Sequence, residues 1–142
     1  MATTPLVYLT RAEHFCAAHR LCNTEWDQSK NRIIFGKCEN IHGHNYRLKV
    51  TVKGSVDRST GMVMNIADLS TIIERSVLSV FDHKFIEDDV PHFKNEPSTS
   101  ENICLFIWNQ IEPSLPSNVK LHRIKLNETN KNYAEYFGEM ST

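Results

Sequence analysis

From Tyr46 to Val56 the chain alternates, with Tyr46, Leu48, Val50 and Val52 on one side and Arg47, Lys49, Thr51 and Lys53 on the other. Successive strand residues point to opposite faces, so the run reads as a half-buried strand of an antiparallel sheet. The segment Lys37-Cys38-Glu39-Asn40-Ile41-His42-Gly43-His44-Asn45 leads into it and sets one thiol and two imidazoles at its mouth. Strand residues i and i+2 share a face about 7 Å apart, so His42 and His44 can aim at one point above the sheet. Gly43 has no side chain, which leaves room for a ligand or another backbone. Neutral imidazole is a zinc ligand, and three protein ligands with one open position is the catalytic arrangement. A His-x-His pair alone is equally a structural pair on a wet sheet face. Cys38, four residues before His42, and His19, in an earlier strand-like run, strengthen the metal reading.

The rest of the chain supplies two helices and four more strands, one of them short. Leu6 to Leu21 is rich in Val, Tyr, Leu, Thr and Phe and reads as a strand with His19 near its end. Asn23 to Arg32 is polar around a lone Trp26 and reads as a surface loop. The turn group Asp57-Arg58-Ser59-Thr60-Gly61 leads to a short strand, Met62 to Met64. Asn65 caps a helix with a core stripe of Ile66, Leu69, Ile72, Ile73, Val77 and Val80, ending before Asp82-His83-Lys84. Ser98-Thr99-Ser100-Glu101 fits a capping box for a second helix with stripe Ile103, Phe106, Ile107 and Ile111, stopped by Pro113. Lys120 to Glu128 and Tyr133 to Phe137 read as strands joined around Asn130-Lys131-Asn132. His122, Ile124, Leu126 and Glu128 then share a face, so Glu128 either sits at a wet strand end or holds a ligand with paired N–H donors. Apart from the short Met62 to Met64 segment, the order is strand, strand, helix, helix, strand, strand. It predicts an α+β domain: a four-stranded antiparallel sheet with two helices on one face. The uncovered face needs a partner, and symmetric self-association supplies one.

Length and charge exclude several classes. At 142 residues the chain reads as a single domain over 1–142, able to bury roughly two thirds of its unfolded surface. With 16 basic against 17 acidic residues, neither a nucleic-acid footprint nor a polybasic membrane patch stands out. No apolar run is long enough for a membrane span, and Met1 to Pro5 lacks the regions of a signal peptide. Cys16, Cys22, Cys38 and Cys104 form no C-x-x-C pair and read as reduced thiols in a cytoplasmic protein, Cys104 as a small buried hydrophobe. No G-x-G-x-x-G is present for a nicotinamide or flavin.

Taken together the motifs resemble the 6-pyruvoyl-tetrahydropterin synthase family of tunnelling-fold pterin enzymes, from about Leu9 to Gly138. The carriers are Phe15-Cys16-Ala17-Ala18-His19-Arg20-Leu21, Phe35-Gly36-Lys37-Cys38, His42-Gly43-His44-Asn45-Tyr46 and Thr60-Gly61-Met62-Val63-Met64-Asn65. Asp82-His83-Lys84, Ser98-Thr99-Ser100-Glu101-Asn102 and Glu128-Thr129 complete the set. The resemblance implies that His19, His42 and His44 hold a zinc ion with its fourth position left for substrate. It implies Cys38 as general base, with Asp82 and His83 completing a proton-transfer set from a neighbouring subunit. Glu128 would anchor a pterin ring, with Thr99 and Glu101 beside it. The family assembles as a homohexamer of two stacked trimers. The implied reaction converts 7,8-dihydroneopterin triphosphate to 6-pyruvoyl-tetrahydropterin and triphosphate in tetrahydrobiopterin biosynthesis. Arg20, Lys37 and Lys84 are the candidate triphosphate contacts.

The chain departs from the animal pattern in one place. Only Glu39, Asn40 and Ile41 separate Cys38 from His42, fewer residues than the animal enzymes place there. This spacing is similar to bacterial relatives that make 6-carboxy-tetrahydropterin. Glu39 also matches a related group that uses a glutamate here to cleave the side chain to 6-hydroxymethyl-dihydropterin. Asp57 to Asn65 and Pro97 to Asn102 look more like the eukaryotic enzymes, and the pyruvoyl reaction is the expectation. A non-catalytic zinc or pterin-binding module is the alternative outside enzymology. A structural zinc site closed by Cys38 is a third.

Overall fold

The computed structural model describes residues 3–142; Met1 and Ala2, where the N-terminal segment and the 1–142 domain begin, lie outside it. Two long strands carry the architecture. β1, Leu6–His19, and β2, His42–Ser55, pair antiparallel over their full length, from Leu6 opposite Ser55 to His19 opposite His42. β3, Lys84–Phe85, lies parallel to β1, while β4, Val119–Asn127, pairs antiparallel with β2 and with β5, Tyr133–Tyr136. The sheet order is β3-β1-β2-β4-β5. The four-stranded antiparallel sheet expected from sequence is therefore corrected to a five-stranded mixed sheet. β3 has two residues, too few for any alternation to register.

The helices lie mainly where the apolar periods put them, with instructive shifts. α2, Ile66–Ile73, starts at Asn65, whose side chain accepts the Ala67 N–H at 2.9 Å. It runs through a π-helical turn, Glu74–Leu78, into α3, Ser79–Phe81. The wider turn advances the buried face by one residue, so Phe81 rather than Val80 is fully buried. Ile66, at the first turn, is 40 % exposed and leaves the expected stripe. After α4, Ile86–Asp89, comes α5, Ser100–Ile111, whose Ile103, Ile107 and Ile111 are buried while Phe106 is only partly so. Its cap is Thr99, which accepts the Asn102 N–H at 3.2 Å, so the expected Ser98–Glu101 box does not form.

Three further expectations are overturned. The stretch Asn23 to Arg32, read as a loop, runs into α1, Gln28–Phe35, from Gln28 on. Polar capping builds this helix: Asp27 accepts the Lys30 N–H at 2.8 Å, and the buried Asn31 amide bonds the Asn23, Trp26 and Asp27 carbonyls. An apolar period is therefore absent from its sequence. Met62 to Met64 forms no strand; it leaves a turn closed by Asp57 N–H to the Met62 carbonyl at 2.9 Å. The row His122, Ile124, Leu126, Glu128 is broken by a bulge, where Thr51 faces Arg123 but Val52 faces Leu121. The extra residue, His122, packs on Tyr8 and Phe137, while Leu121, Ile124 and Leu126 stay on the core side.

The core lies between one sheet face and the helices. Tyr46, Leu48, Val50, Val52, Ile124 and Leu126 of the sheet meet Leu69, Ile73, Val77, Ile103, Ile107 and Ile111, all fully buried. Cys104 joins them, and burial pushes its thiol up to about 12, as befits a small hydrophobe. Among the described residues no helix is long and apolar enough to cross a membrane. Because Thr99 is the cap of α5, Thr99→Ala should lower stability to chemical unfolding by about 1 kcal/mol, while Thr99→Ser should stay near the unaltered protein.

Candidate metal centre

The full antiparallel register fixes the centre. His19 ends β1 directly opposite His42, and His44 follows two residues on, so all three rings share the core face with Tyr46. Ring centroids are 4.5 Å apart for His19–His42, 5.2 Å for His19–His44 and 5.0 Å for His42–His44. One ligand nitrogen from each lies within 4.8 Å of the others. Tetrahedral bonds of zinc-to-imidazole length require nitrogen separations of roughly 3.3 Å, so modest rotation closes the set. Gly43 points to the opposite face, where a Cβ would meet only the Ala17 carbonyl at an ordinary 3.5 Å. Room at Gly43 therefore does not serve the cluster, contrary to the reading from sequence.

Hydrogen bonds assign the free nitrogen of two of the rings. His19 Nδ1 lies 3.0 Å from the Ser98 carbonyl and 3.1 Å from the Ser98 hydroxyl. A carbonyl only accepts, so Nδ1 carries the proton and Nε2 carries the lone pair. His42 Nδ1 donates to the Asn40 carbonyl at 2.7 Å, which leaves its Nε2 free in the same way. Nε2 of His19 and Nε2 of His44 are buried without any partner. Buried polar atoms are rarely left so, and two orphaned nitrogens converging on one point fit a cation.

Burial disfavours protonation of His19 and His44. The His19 imidazole, wholly inaccessible, is held down to about 4, first by loss of water and then by His42; its bond to Ser98 works the other way. Burial likewise lowers His44, against the attraction of Glu128. Neutral imidazole is the metal-binding form, so the fold prepares ligands rather than cations.

Acceptor groups flank the centre on one side. Glu128 Oε1 stands 3.7 Å from His44 Nε2, too far for a hydrogen bond, and Oε2 accepts the Ser100 hydroxyl at 3.1 Å. Thr99, Ser100, Glu101 and Glu128 line one cleft of about 570 Å³ with Tyr133 and Glu135. The three residues expected to hold a ring, Glu128, Thr99 and Glu101, are thus brought together, although Thr99 also spends its hydroxyl oxygen on the helix cap. Cys38 sits in the 3₁₀ turn Gly36–Glu39, half-buried, its carbonyl accepting Leu21 N–H at 2.8 Å, and is not one of the clustered ligands. Glu39 is nearly buried beside Arg32, at 3.7 Å.

Asp82 and His83 lie elsewhere in the protomer. Asp82 accepts the Cys16 N–H at 2.9 Å and lines a hollow with His14, Cys16, Asn45 and Arg47, strand residues that face away from the core, so this pair belongs to the outer sheet face. That bond, and then His83 at 2.9 Å, holds the Asp82 carboxyl below its usual range. His83 takes the left-handed φ of 62°, fixed by its N–H on the Cys16 carbonyl, and its ring is exposed. The sequence reading missed Ser98, Ser100 and Glu87, all of which touch the site or its supports. Ser98 was visible only as a capping residue, and Glu87 carried no signal.

A mixed α+β sheet whose first two strands bring three imidazoles together beside an acidic cleft defines a protein with three histidines placed to bind a metal ion. The sequence profile described as 6-pyruvoyl tetrahydropterin synthase matches residues 8–139. The chain is 43 % identical over 140 residues to the 6-pyruvoyl tetrahydrobiopterin synthase of Drosophila melanogaster, covering 97 % of this chain and 83 % of the relative. To the protein of that name from Dictyostelium discoideum it is 44 % identical, covering 94 % and 97 %. The solved 6-pyruvoyl tetrahydropterin synthase of Caenorhabditis elegans superimposes with a TM-score of 0.90 at 38 % identity, covering 98 % and 100 %. The chain belongs to the 6-pyruvoyl tetrahydropterin synthase family.

A depressed His19 makes the metal-free fold sensitive to acid. The folded ring titrates near 4 and the unfolded one near 6.5, so between those values the unfolded chain binds a proton that the fold refuses. Stability is thus intact above 6.5 and falls as pH drops toward 4. Chemical unfolding of the metal-free protein should lose about 2 kcal/mol from this group between pH 7 and pH 5. That component should be missing in His19→Gln.

Proposed function

We propose that this chain is a zinc-dependent carbon–oxygen lyase converting 7,8-dihydroneopterin triphosphate to 6-pyruvoyl-tetrahydropterin and triphosphate in tetrahydrobiopterin biosynthesis. The observation that carries the reading is the convergence of three imidazoles, with no fourth protein ligand in the cluster among the described residues, beside the Glu128 cleft. His19, His42 and His44 would hold the zinc ion, as their donor set and orphaned nitrogens fit it. When bound, zinc supplies Lewis-acid polarisation of the side-chain oxygens of the substrate.

The protein's own groups do the rest. Glu128 pairs its side-chain oxygens with the amino group and ring N–H of a pterin, giving a bidentate, orienting contact. Thr99 and Glu101 flank the same ring. Cys38 takes and returns the protons that move among neighbouring side-chain carbons as triphosphate departs and the ring is reduced. Both hydroxyl-bearing carbons become ketones with electrons kept inside one molecule, so no redox cofactor is needed. Asp82 and His83, remote from the imidazoles within one protomer, serve the Cys38 of an adjoining subunit. The reading accordingly includes a homohexamer of two trimers, a single domain over 1–142 and a cytoplasmic location.

A second reading draws on Glu39. The short Cys38-to-His42 spacing and the neighbouring glutamate match relatives that make 6-carboxy-tetrahydropterin or a hydroxymethyl pterin. Against it, Glu39 lies nearly buried beside Arg32. Mass spectrometry of the products of the zinc-loaded protein separates the reactions: the pyruvoyl product should dominate, and a carboxy or hydroxymethyl pterin as main product would replace this proposal. Cys38→Ala should lose at least about 100-fold in turnover while keeping its zinc. Unchanged ligand affinity with no turnover in either protein would instead mark a non-catalytic binding module.

A further inference from the structure

His19 is the one clustered imidazole that water cannot reach, and a chain of two residues stands behind it. Ser98, also fully buried, meets His19 Nδ1 with both its carbonyl and its hydroxyl oxygen. The Ser98 hydroxyl donates its single proton in a short bond to Glu87 Oε1. Glu87 Oε2 accepts the Arg20 N–H at 3.2 Å, which pins the carboxylate to the end of β1. We propose that Glu87 is a positioning residue of the metal centre, acting through Ser98 to keep the His19 proton on Nδ1 and the Nε2 lone pair facing the ion.

A hydroxyl has one proton and can point it two ways. With Glu87 as acceptor, the Ser98 oxygen turns a lone pair to His19 and receives Nδ1–H. Without that carboxylate the hydroxyl is free to donate to Nδ1, and the Ser98 carbonyl is left alone to hold the proton there against the tautomer that carries it on Nε2. That tautomer cannot ligate. The ring is enclosed, so no solvent can correct the choice. The carboxylate also polarises the Nδ1–H through the hydroxyl, raising the basicity of the opposite nitrogen, as acceptors behind metal-bound histidines do. β3 and α4 carry Glu87 to this place. The two-residue parallel strand sets Lys84 and Phe85 beside Ala17 and Ala18, and α4 turns immediately after it. This gives the shortest strand of the sheet a purpose: it delivers a carboxylate behind a ligand at the end of β1.

The proposal rests on the metal reading of the three histidines. Zinc affinity is measured by competition with a chromophoric chelator for the unaltered protein, Glu87→Ala, Glu87→Gln, Ser98→Ala and the Glu87→Ala/Ser98→Ala double variant. Glu87→Ala should bind zinc about 10- to 100-fold more weakly. Glu87→Gln, whose amide oxygen still accepts the Ser98 proton, should recover most of that loss. In the Ser98→Ala background Glu87→Ala should add nothing, because its route to the ring is gone. Nitrogen NMR of the metal-free protein should find the His19 proton on Nδ1, and a mixture of tautomers in Glu87→Ala. Should Glu87→Ala fail to fold, Glu87→Met, which keeps bulk without an acceptor, takes its place in both measurements. Unchanged zinc affinity and tautomer in the variant, or an undiminished loss in the Ser98→Ala background, would overturn the relay alone. Absence of zinc uptake by the unaltered protein would overturn the metal centre and the relay with it.

Discussion

The pairing of β1 with β2 is the constraint on which everything else depends. Side chains in a strand alternate strictly, so a slip of one residue would carry His19 to the face opposite His42 and His44. The register is held by burial. Phe15 and Ala17 on one strand and Tyr46, Leu48, Val50 and Val52 on the other all bury the same face, and a slip would drive each of them into water. The apolar core thereby sets the position of a polar site at its edge. His19 shares its face with the core residues Phe15 and Ala17, and its complete burial follows from where β1 must lie.

That burial has chemical consequences. Imidazole taken out of water resists protonation, and the neighbouring rings add to the resistance. The same enclosure would leave nitrogens unsatisfied unless each had a partner. The fold provides acceptors for the outer nitrogens of His19 and His42, from Ser98 and Asn40, and leaves Nε2 of His19 and Nε2 of His44 bare. A centre of this type is preorganised: His19 and His42 are held in orientation, and His19 and His44 are desolvated, before a metal arrives. Glu128 and Ser100 repeat the pattern one step outward, with one carboxylate oxygen tied to a hydroxyl and the other directed toward the cluster.

Much of this was legible in the residues. Strict alternation located β2 and its inward face, the 3.6-residue periods located α2 and α5, and the His-x-His spacing put two ligands on one face. The failures share a cause. α1 is made by an aspartate cap and a buried asparagine, β3 is too short to have a period, and the bulge at His122 inserts one residue that no alternation announces. The π-turn in the long helix likewise exchanges Val80 for Phe81 in the core. Pattern reading assumes regular elements, and each miss is an irregularity settled by contacts distant in the chain.

The division between chain and fold can be stated residue by residue. By itself the sequence determined which face of β2 is buried, that His42 and His44 look the same way, and that Asn65 begins a helix, because each depends on neighbours within one strand or one turn. Only the tertiary structure decided that His19 stands opposite His42, that Ser98 turns from helix cap to imidazole partner, and that Glu87 reaches it from another element. It also decided that Asp82 and His83 lie on the far side of the sheet from the three rings. Backbone periodicity is local and is written in consecutive residues; convergence of side chains from separated segments exists only once the core has fixed how those segments pack.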